Sequence, residues 1–129
     1  MKRHLKTIGL LALFSLSLPT WSMGEDGDGN SLLSVCGAAV AFVDTQSLQR
    51  LNSVDVGFCF GLMEGMMAMN QVYEYRLKNA LFCQPKDITS AQAARIVVKY
   101  LRDHPEELHQ PGSILAYVAL SKAFPCAKK

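Results

Sequence analysis

Four cysteines, Cys36, Cys59, Cys83 and Cys126, constrain the fold of this chain more than any other feature. Their spacings of 23, 24 and 43 residues contain no C-x-x-C pair, so the pattern favours neither a zinc site nor a thioredoxin-type redox centre. In a small exported domain an even number of cysteines indicates disulfides, and four cysteines allow three pairings. Whether the cysteines form disulfides therefore depends on whether the protein is exported to an oxidising compartment.

The N-terminal segment has the layout of a secretory signal peptide. Lys2, Arg3 and Lys6 precede an apolar run, Ile8 to Leu18, and Pro19 and the pattern Ser22-Met23-Gly24 follow. The run has about eleven residues, whereas a bilayer-spanning helix needs about 20, and no later apolar stretch reaches that length. We therefore predict cleavage after Gly24 and export to a compartment where thiols oxidise, and we expect no membrane anchor.

The remaining chain reads as one small domain. Residues 25–30 are acidic and glycine-rich, which predicts a flexible leader, and residues 31–129 form the predicted helical domain. Half of the 129 residues are apolar and 19% are charged, as expected for a globular protein. Loss of the three basic residues of the signal segment leaves 10 Lys and Arg against 11 Asp and Glu, a net charge of −1. This balance leaves no basic patch that would favour nucleic acid.

Apolar residues recur at helical spacing along this domain, and no strand-like alternation appears. We predict an all-α fold of four to five helices around a glycine- and Met-rich central helix. The predicted elements are a helix from Ser31 to about Val43, a loop Asp44–Ser53, a long helix Val54–Phe82, a helix starting at the capping box of Thr89 and Gln92 and ending at His104, a turn Pro105–Leu108, and a last helix from Pro111 to Phe124.

The first half of the long central helix is apolar on every side, which predicts that other helices surround it. Gly57, Gly61 and Gly65 recur every four residues and predict a close helix crossing, so Gly61→Leu should be more damaging than Gly112→Leu in the first turn of the last helix. From Asn70 onward the helix becomes polar, and this half should emerge into solvent or contact a partner.

Four methionines between Met63 and Met69 allow a second interpretation, binding of Cu(I) by soft thioethers. Methionine is also an ordinary filler of irregular cores, and no histidine lies beside these four. We favour core packing and expect neither a metal nor a cofactor.

The sequence offers little for catalysis. Outside the signal segment the histidines are His104 and His109, which flank the Pro105 turn, and the cysteines are expected to be oxidised and inert. Glu106 and Glu107 are adjacent, so on a helical turn they point about 100° apart and do not face one bond as an acid and base pair. We therefore expect a non-catalytic binding or structural protein.

The lengths of the predicted helices favour one disulfide pairing. Cys36 lies before the end of the first helix and Cys59 after the start of the second, so an antiparallel pair brings them level. Cys83 precedes the third helix and Cys126 follows the last, and a helical hairpin returns these ends to each other. The predicted pairs are Cys36 with Cys59 and Cys83 with Cys126.

Several segments together resemble one known family, the Rap/Tai immunity proteins of type VI secretion. The resemblance covers roughly residues 31–127 and rests on the four cysteines, the glycine and aromatic pattern Gly57–Gly65, and the segments Phe82–Pro85, Thr89–Gln92, Val97–Glu106 and Ala119–Cys126, which include His-Pro-Glu and Phe-Pro-Cys in order.

This resemblance implies a periplasmic, helical, disulfide-bonded protein that protects its own cell from a peptidoglycan amidase injected by sister cells. It also implies a homodimer that plugs the cysteine and histidine groove of the toxin. The alternative is a periplasmic stress chaperone or another non-catalytic binding protein.

The toxin-binding surface is expected among exposed polar and aromatic residues. Tyr73, Glu74 and Arg76 lie in the polar half of the central helix, and tyrosine and arginine are frequent anchors of interfaces. The predicted loop Asp44–Ser53 is a second part of this surface. Glu106 and Glu107, in the protruding segment Asp103–Gly112, are the other choice for a plug that enters a narrow groove.

Overall fold

The computed structural model describes residues 27–47 and 51–127, and the predicted signal peptide lies outside them. The fold is all-α, as predicted. Its elements are α1 (Gly29–Thr45), α2 (Ser53–Leu77), α3 (Ser90–Asp103), a 3₁₀ turn (Pro105–Glu107) and α4 (Gly112–Ala123). Within the described ranges no helix combines the length and the apolarity needed to cross a membrane.

The helices pack around α1 and α3. α1 packs against both α2 and α3, and α3 packs against α4. The capping box predicted at Thr89 and Gln92 is present and starts α3, whose buried stripe includes Ala94, Val97 and Leu101. The most deeply buried large side chains join all four helices and the segment before α3: Cys36, Cys59, Met63, Phe82, Val97, Leu101, Leu115 and Leu120.

Two disulfides cross-link the domain, and they have the predicted pairing. Cys36 on α1 bonds Cys59 on α2, with their Cα atoms 5.1 Å apart, and both side chains are fully buried. Cys83, before α3, bonds Cys126, after α4, with a Cα separation of 4.9 Å, and both residues are exposed. One disulfide thus lies in the core and the other closes the surface at the C-terminal end of α4.

The folded domain begins earlier than the sequence suggested. Asp28 caps α1 by accepting a hydrogen bond from a backbone N–H of its first turn, and Gly29 is buried. The N–H of Gly29 donates to the carbonyl of Gln110 at 2.9 Å, and that of Gly112 donates to Gly27 at 2.8 Å. Asp28 and Gly29, expected in a flexible leader, are therefore clamped onto the start of α4.

The central helix differs from its prediction in length and burial. α2 ends at Leu77, five residues before the predicted end at Phe82, because Lys78 adopts a left-handed backbone conformation with φ of 53°. One face is buried, through Val56, Cys59, Met63, Met67 and Asn70, whereas the opposite face is exposed. The expectation that other helices surround α2 is wrong for a single chain.

The predicted glycine crossing is also absent from the part of the chain that the structure describes. A Cβ atom added at Gly57, Gly61 or Gly65 would meet no atom of residues 27–47 or 51–127 within 4 Å. A Cβ at Gly112 would lie 2.8 Å from the backbone oxygen of Gly27. The expected order of damage, Gly61→Leu above Gly112→Leu, is therefore reversed, because the N-terminal clamp and not the glycine stripe is the place of close backbone approach.

Candidate partner-binding surfaces

The C-terminal end of α2 projects from the domain. Every residue from Gln71 to Asn79 is exposed, including Glu74 and Arg76. Tyr73 is 38% exposed and Tyr75 74% exposed, so both rings are accessible. The Nζ of Lys78 lies 5.2 Å from the centre of the Tyr75 ring, a cation–π contact on the outside of the helix. The structure therefore places Tyr73, Glu74 and Arg76 together on an accessible helix end.

Asn70 anchors this projecting end to the rest of the domain. Its side chain is 1% exposed and accepts hydrogen bonds from the N–H groups of Leu81 at 2.8 Å and Phe82 at 3.1 Å. It donates to the carbonyl of Phe82 at 2.8 Å. We expected Asn70 to begin the solvent-facing half, which is wrong. The signal was present in the spacing, because Asn70 lies seven residues after the buried Met63 and continues the same face.

The 3₁₀ turn presents one exposed carboxylate and one that is engaged. Glu106 is exposed. Glu107 is half-buried and accepts a hydrogen bond of 2.6 Å from the hydroxyl of Tyr100 on α3. The Tyr100 ring stacks on His104 at a centroid distance of 4.1 Å, and the Nζ of Lys122 lies 3.2 Å from the Tyr100 hydroxyl. Glu107 thus belongs to a cluster that holds the turn against α3 and α4.

The electrostatics of this cluster keep Tyr100 as a neutral donor. Burial raises the pKa of the Tyr100 hydroxyl, and the hydrogen bond to Glu107 raises it further, while Lys122 opposes both. His104 closes α3, because its Nδ1 donates to the carbonyl of Tyr100 at 2.9 Å. His104 is the C-cap of α3, at the helix end that the sequence predicted, and the role of Glu107 was not apparent from sequence.

The two sets of predicted contact residues lie near opposite ends of α4. The 3₁₀ turn leads directly into the start of α4 at Gly112. The projecting end of α2 is tied through Asn70 to Phe82, and the next residue, Cys83, donates its N–H to the carbonyl of Phe124 after α4. A helix of this length measures about 18 Å. The structure therefore does not bring Tyr73 and Glu106 into one compact site.

The predicted loop Asp44–Ser53 is shorter in the structure. α1 continues to Thr45, α2 starts at Ser53, and residues 48–50 lie outside the described ranges. Asp44 forms an ion pair of 2.6 Å with Arg95 on α3, and both side chains are about half exposed. Exposed pairs of this kind contribute little to stability, about 0.2–1 kcal/mol. Asp44 accordingly lies on α1 and joins it to α3.

A further surface, which the sequence did not predict, is the outward face of α2. Val54, Phe58, Met69 and Val72 are 72%, 60%, 52% and 50% exposed. Two grooves border this face, with volumes of about 340 and 440 Å³, and Leu62 lines both. Monomers rarely expose so many large apolar side chains together unless the surface binds something. The glycine stripe was the signal of this face, although it was assigned to a crossing inside the chain.

The four methionines of α2 differ in burial, and the four cysteines are paired. Met63 and Met67 are buried in the core, Met66 is half-buried and Met69 is exposed, so these four do not converge on one point. All four cysteines of the sequence are paired in disulfides. In the part of the chain that the structure describes, no cluster of three or more His, Cys, Asp or Glu residues could hold a metal ion.

Comparison with known proteins gives one match. The family model of the Rap1a immunity proteins matches residues 28–126. No curated protein and no solved structure matches. The matched range starts at Asp28, the cap of α1, and ends at Cys126, the second half of the surface disulfide. It therefore coincides with the folded domain.

Proposed function

This chain belongs to the Rap1a immunity protein family, and on that premise we propose that it neutralises a peptidoglycan amidase delivered by type VI secretion. An immunity protein protects its cell by binding a cognate toxin. The observation that carries the proposal is the extent of the match, which spans the folded domain from the cap of α1 to the last disulfide. The amidase as target follows from the resemblance described above and is the finer part of the proposal.

We place the protein in the periplasm. The N-terminal segment has the basic, apolar and small-residue order of a signal peptide with cleavage after Gly24. Two disulfides support this location, because cytosolic thiols are kept reduced whereas the periplasm is oxidising. An amidase that attacks peptidoglycan also acts in this compartment, so inhibitor and target would meet there.

The projecting end of α2 is the proposed toxin-contact surface. Tyr73 and Arg76 are both accessible, and such residues contribute large contact area together with polar groups. Glu74 adds a carboxylate that could pair with a histidine of the toxin groove. The alternative surface, Glu106 and Glu107, is reduced to Glu106 because Tyr100 engages Glu107. We also propose that the active protein is a homodimer, as the resemblance implies.

Co-expression with a candidate amidase tests the function. A candidate amidase is directed to the periplasm, and the proposal expects lysis that this protein prevents and a complex that co-purifies. Absence of both protection and complex would reject the amidase proposal. A stress chaperone would instead suppress aggregation of unrelated acid-denatured proteins and show no preference for the amidase.

Substitution pairs test the surface. Tyr73→Ala/Arg76→Ala should weaken inhibition at least tenfold, about 1.4 kcal/mol, while Lys86→Ala, an exposed control in the turn before α3, should leave it unchanged. Glu106→Ala tests the other surface without disturbing the Tyr100 hydrogen bond. Circular dichroism first confirms that each variant folds. If neither surface responds, both assignments are wrong and the toxin is bound elsewhere.

A further inference from the structure

We propose that the exposed disulfide Cys83–Cys126 is a thiol–disulfide exchange site of the folded domain, where a protein dithiol opens the bond and thereby loosens the projecting end of α2. Both of these cysteines are exposed, whereas Cys36 and Cys59 of the core disulfide are fully buried. The exchange itself is independent of the function proposed above, and its effect on toxin binding rests on that function.

The two disulfides differ in what an attacking thiolate can reach. Exchange requires a thiolate to contact one sulfur of the bond, so buried disulfides resist it and exposed ones are the labile ones. Cys36 and Cys59 lie on the packed helices α1 and α2, whereas Cys83 and Cys126 lie outside the helices. A dithiol in solution therefore reaches the surface disulfide while the domain stays folded.

The backbone around the surface disulfide indicates which sulfur is attacked. The N–H of Cys83 donates to the carbonyl of Phe124 at 2.8 Å, and the preceding Phe82 is 2% exposed, so the Cys83 side is held in place. No described residue forms a hydrogen bond with residues 125–127, which follow the end of α4. The Cys126 side can therefore move outward with a partner, and we assign the attack to the Sγ atom of Cys126.

The exchange is balanced by the two thiols of the partner. One partner thiolate bonds to the Sγ of Cys126, the Cys83–Cys126 bond breaks, and Cys83 leaves as a thiolate that takes up a proton. The second partner thiolate then attacks the first partner sulfur and releases Cys126, which also takes up a proton. The chain gains two electrons and two protons, and the partner becomes a disulfide.

Opening this bond acts on the anchor of α2. The amide of Asn70 donates to the carbonyl of Phe82 at 2.8 Å and to Oε1 of Gln84 at 3.3 Å, so residues on both sides of Cys83 hold Asn70. The disulfide ties this segment covalently to the end of α4. Without that tie the hydrogen bonds to Asn70 open more often, and the projecting end of α2 beyond Asn70 loses its fixed orientation.

The rest of the domain does not depend on the surface disulfide. The core disulfide still joins α1 to α2, and the capping box of Thr89 and Gln92 still starts α3. The buried Phe82 ring and the hydrogen bond from Cys83 to Phe124 also remain. We therefore expect a local opening of the segment after α2 and no global unfolding.

Trapping of the mixed disulfide tests the site. The probe is a thioredoxin whose second active-site cysteine is replaced by serine, so that the mixed disulfide is not resolved. Incubation with the oxidised protein should give a covalent complex on a non-reducing gel, linked through Cys126 in the peptide map. The control Cys83→Ser/Cys126→Ser keeps the core disulfide and should give no complex. A complex through Cys36 or Cys59, or none with wild type, would overturn the proposal.

Hydrogen exchange tests the effect on the anchor. The surface disulfide of the wild type is opened with limiting dithiothreitol and its thiols are blocked with iodoacetamide. The amides of Leu81 and Phe82, which donate to the side chain of Asn70, should exchange at least tenfold faster than in the oxidised protein. Amides of α1 and α3 should change less than twofold. The double serine variant should behave like the opened wild type.

The remaining outcomes separate the exchange site from the proposed function. Global unfolding of both opened forms, or unchanged exchange at Leu81 and Phe82, would reject the site as a local switch. Opening should also weaken binding of the candidate amidase at least fivefold, and equal affinity would reject the link to the toxin surface. If the amidase does not bind the oxidised protein at all, the proposed function fails, whereas trapping and hydrogen exchange still decide the exchange site.

Discussion

Replacing Gly112 with alanine should destabilise the domain, although the change adds a single methyl group. The new Cβ would lie 2.8 Å from the carbonyl oxygen of Gly27, 3.0 Å from the Cβ of Leu32 and 3.1 Å from the carbonyl oxygen of Asp28. Two of these neighbours are backbone atoms, so the first turn of α4 or the N-terminal segment must move. Overpacking of this kind costs about 1–3 kcal/mol. The hydrogen bond from Gly112 to Gly27, worth about 1 kcal/mol, weakens with it.

Thermal unfolding of the oxidised protein measures this cost. A loss of 1–3 kcal/mol corresponds to a Tm lower by roughly 4–15 °C for a domain of this size. Gly37→Ala is the control, because its Cβ enters open space on α1 and alanine favours a helix over glycine by up to about 1 kcal/mol. Gly112→Ala with a Tm equal to or above that of wild type would show that the clamp between the start of α1 and the start of α4 does not exist.

Three further changes probe other parts of the domain. Asn70→Ala should lower the free energy of unfolding by about 2–4 kcal/mol in urea titrations, because it leaves buried backbone groups of the Phe82 segment without partners; an unchanged midpoint would contradict the anchor. Stepwise reduction followed by alkylation and mass spectrometry should open the exposed Cys83–Cys126 disulfide before the fully buried one, and the reverse order would contradict the burial described. The pKa of Asp28 is lowered from its usual value of 3.8, mainly by the hydrogen bond from the backbone N–H of Ser31. Ionised Asp28 therefore stabilises the fold above pH 3.8, and this stabilisation is lost as the pH falls through the pKa of Asp28 in the folded protein. Asp28→Asn should therefore show a smaller drop in Tm between pH 5 and pH 2 than wild type, and equal drops would refute this role.

The sequence was sufficient for the elements that depend on local signals. The capping box of Thr89 and Gln92 identified the start of α3, and prolines at 105 and 111 marked the following turn and the last helix. The pairing of the cysteines followed from helix lengths. In two antiparallel helices joined by a loop, residues that are equally far from the loop lie side by side. These signals act within a few residues or along one helix pair, so one sequence can show them.

Long-range contacts were the part that local patterns could not predict. The clamp joins Gly27 and Gly29 to residues 110–112, more than 80 positions away, and nothing in an acidic, glycine-rich segment indicates that partner. Asn70 is polar and therefore resembles the start of a solvent-facing surface in the sequence. Its hydrogen-bond partners, Leu81 and Phe82, lie in the segment that follows α2 and returns to the core. The outer face of α2 is apolar yet exposed, because the apolar character of a sequence indicates burial but does not distinguish contact within a chain from contact with a partner.

α2 has a part that is anchored to the domain at Asn70 and an exposed end beyond it, and the two parts tolerate substitution differently. Side chains that hold the domain together, such as Asn70 and Glu107, make hydrogen bonds to other elements, so their replacement changes stability and binding together. No hydrogen bond or ion pair joins the side chains of Tyr73 and Arg76 to any other described residue, and both face solvent beyond the anchor. Substitution there can alter the partner at little cost to the fold, because surface changes away from such contacts stay within about 0.5 kcal/mol. A scaffold fixed by disulfides and one buried amide can therefore present a changeable helix end, which is the property that an inhibitor matched to one toxin requires.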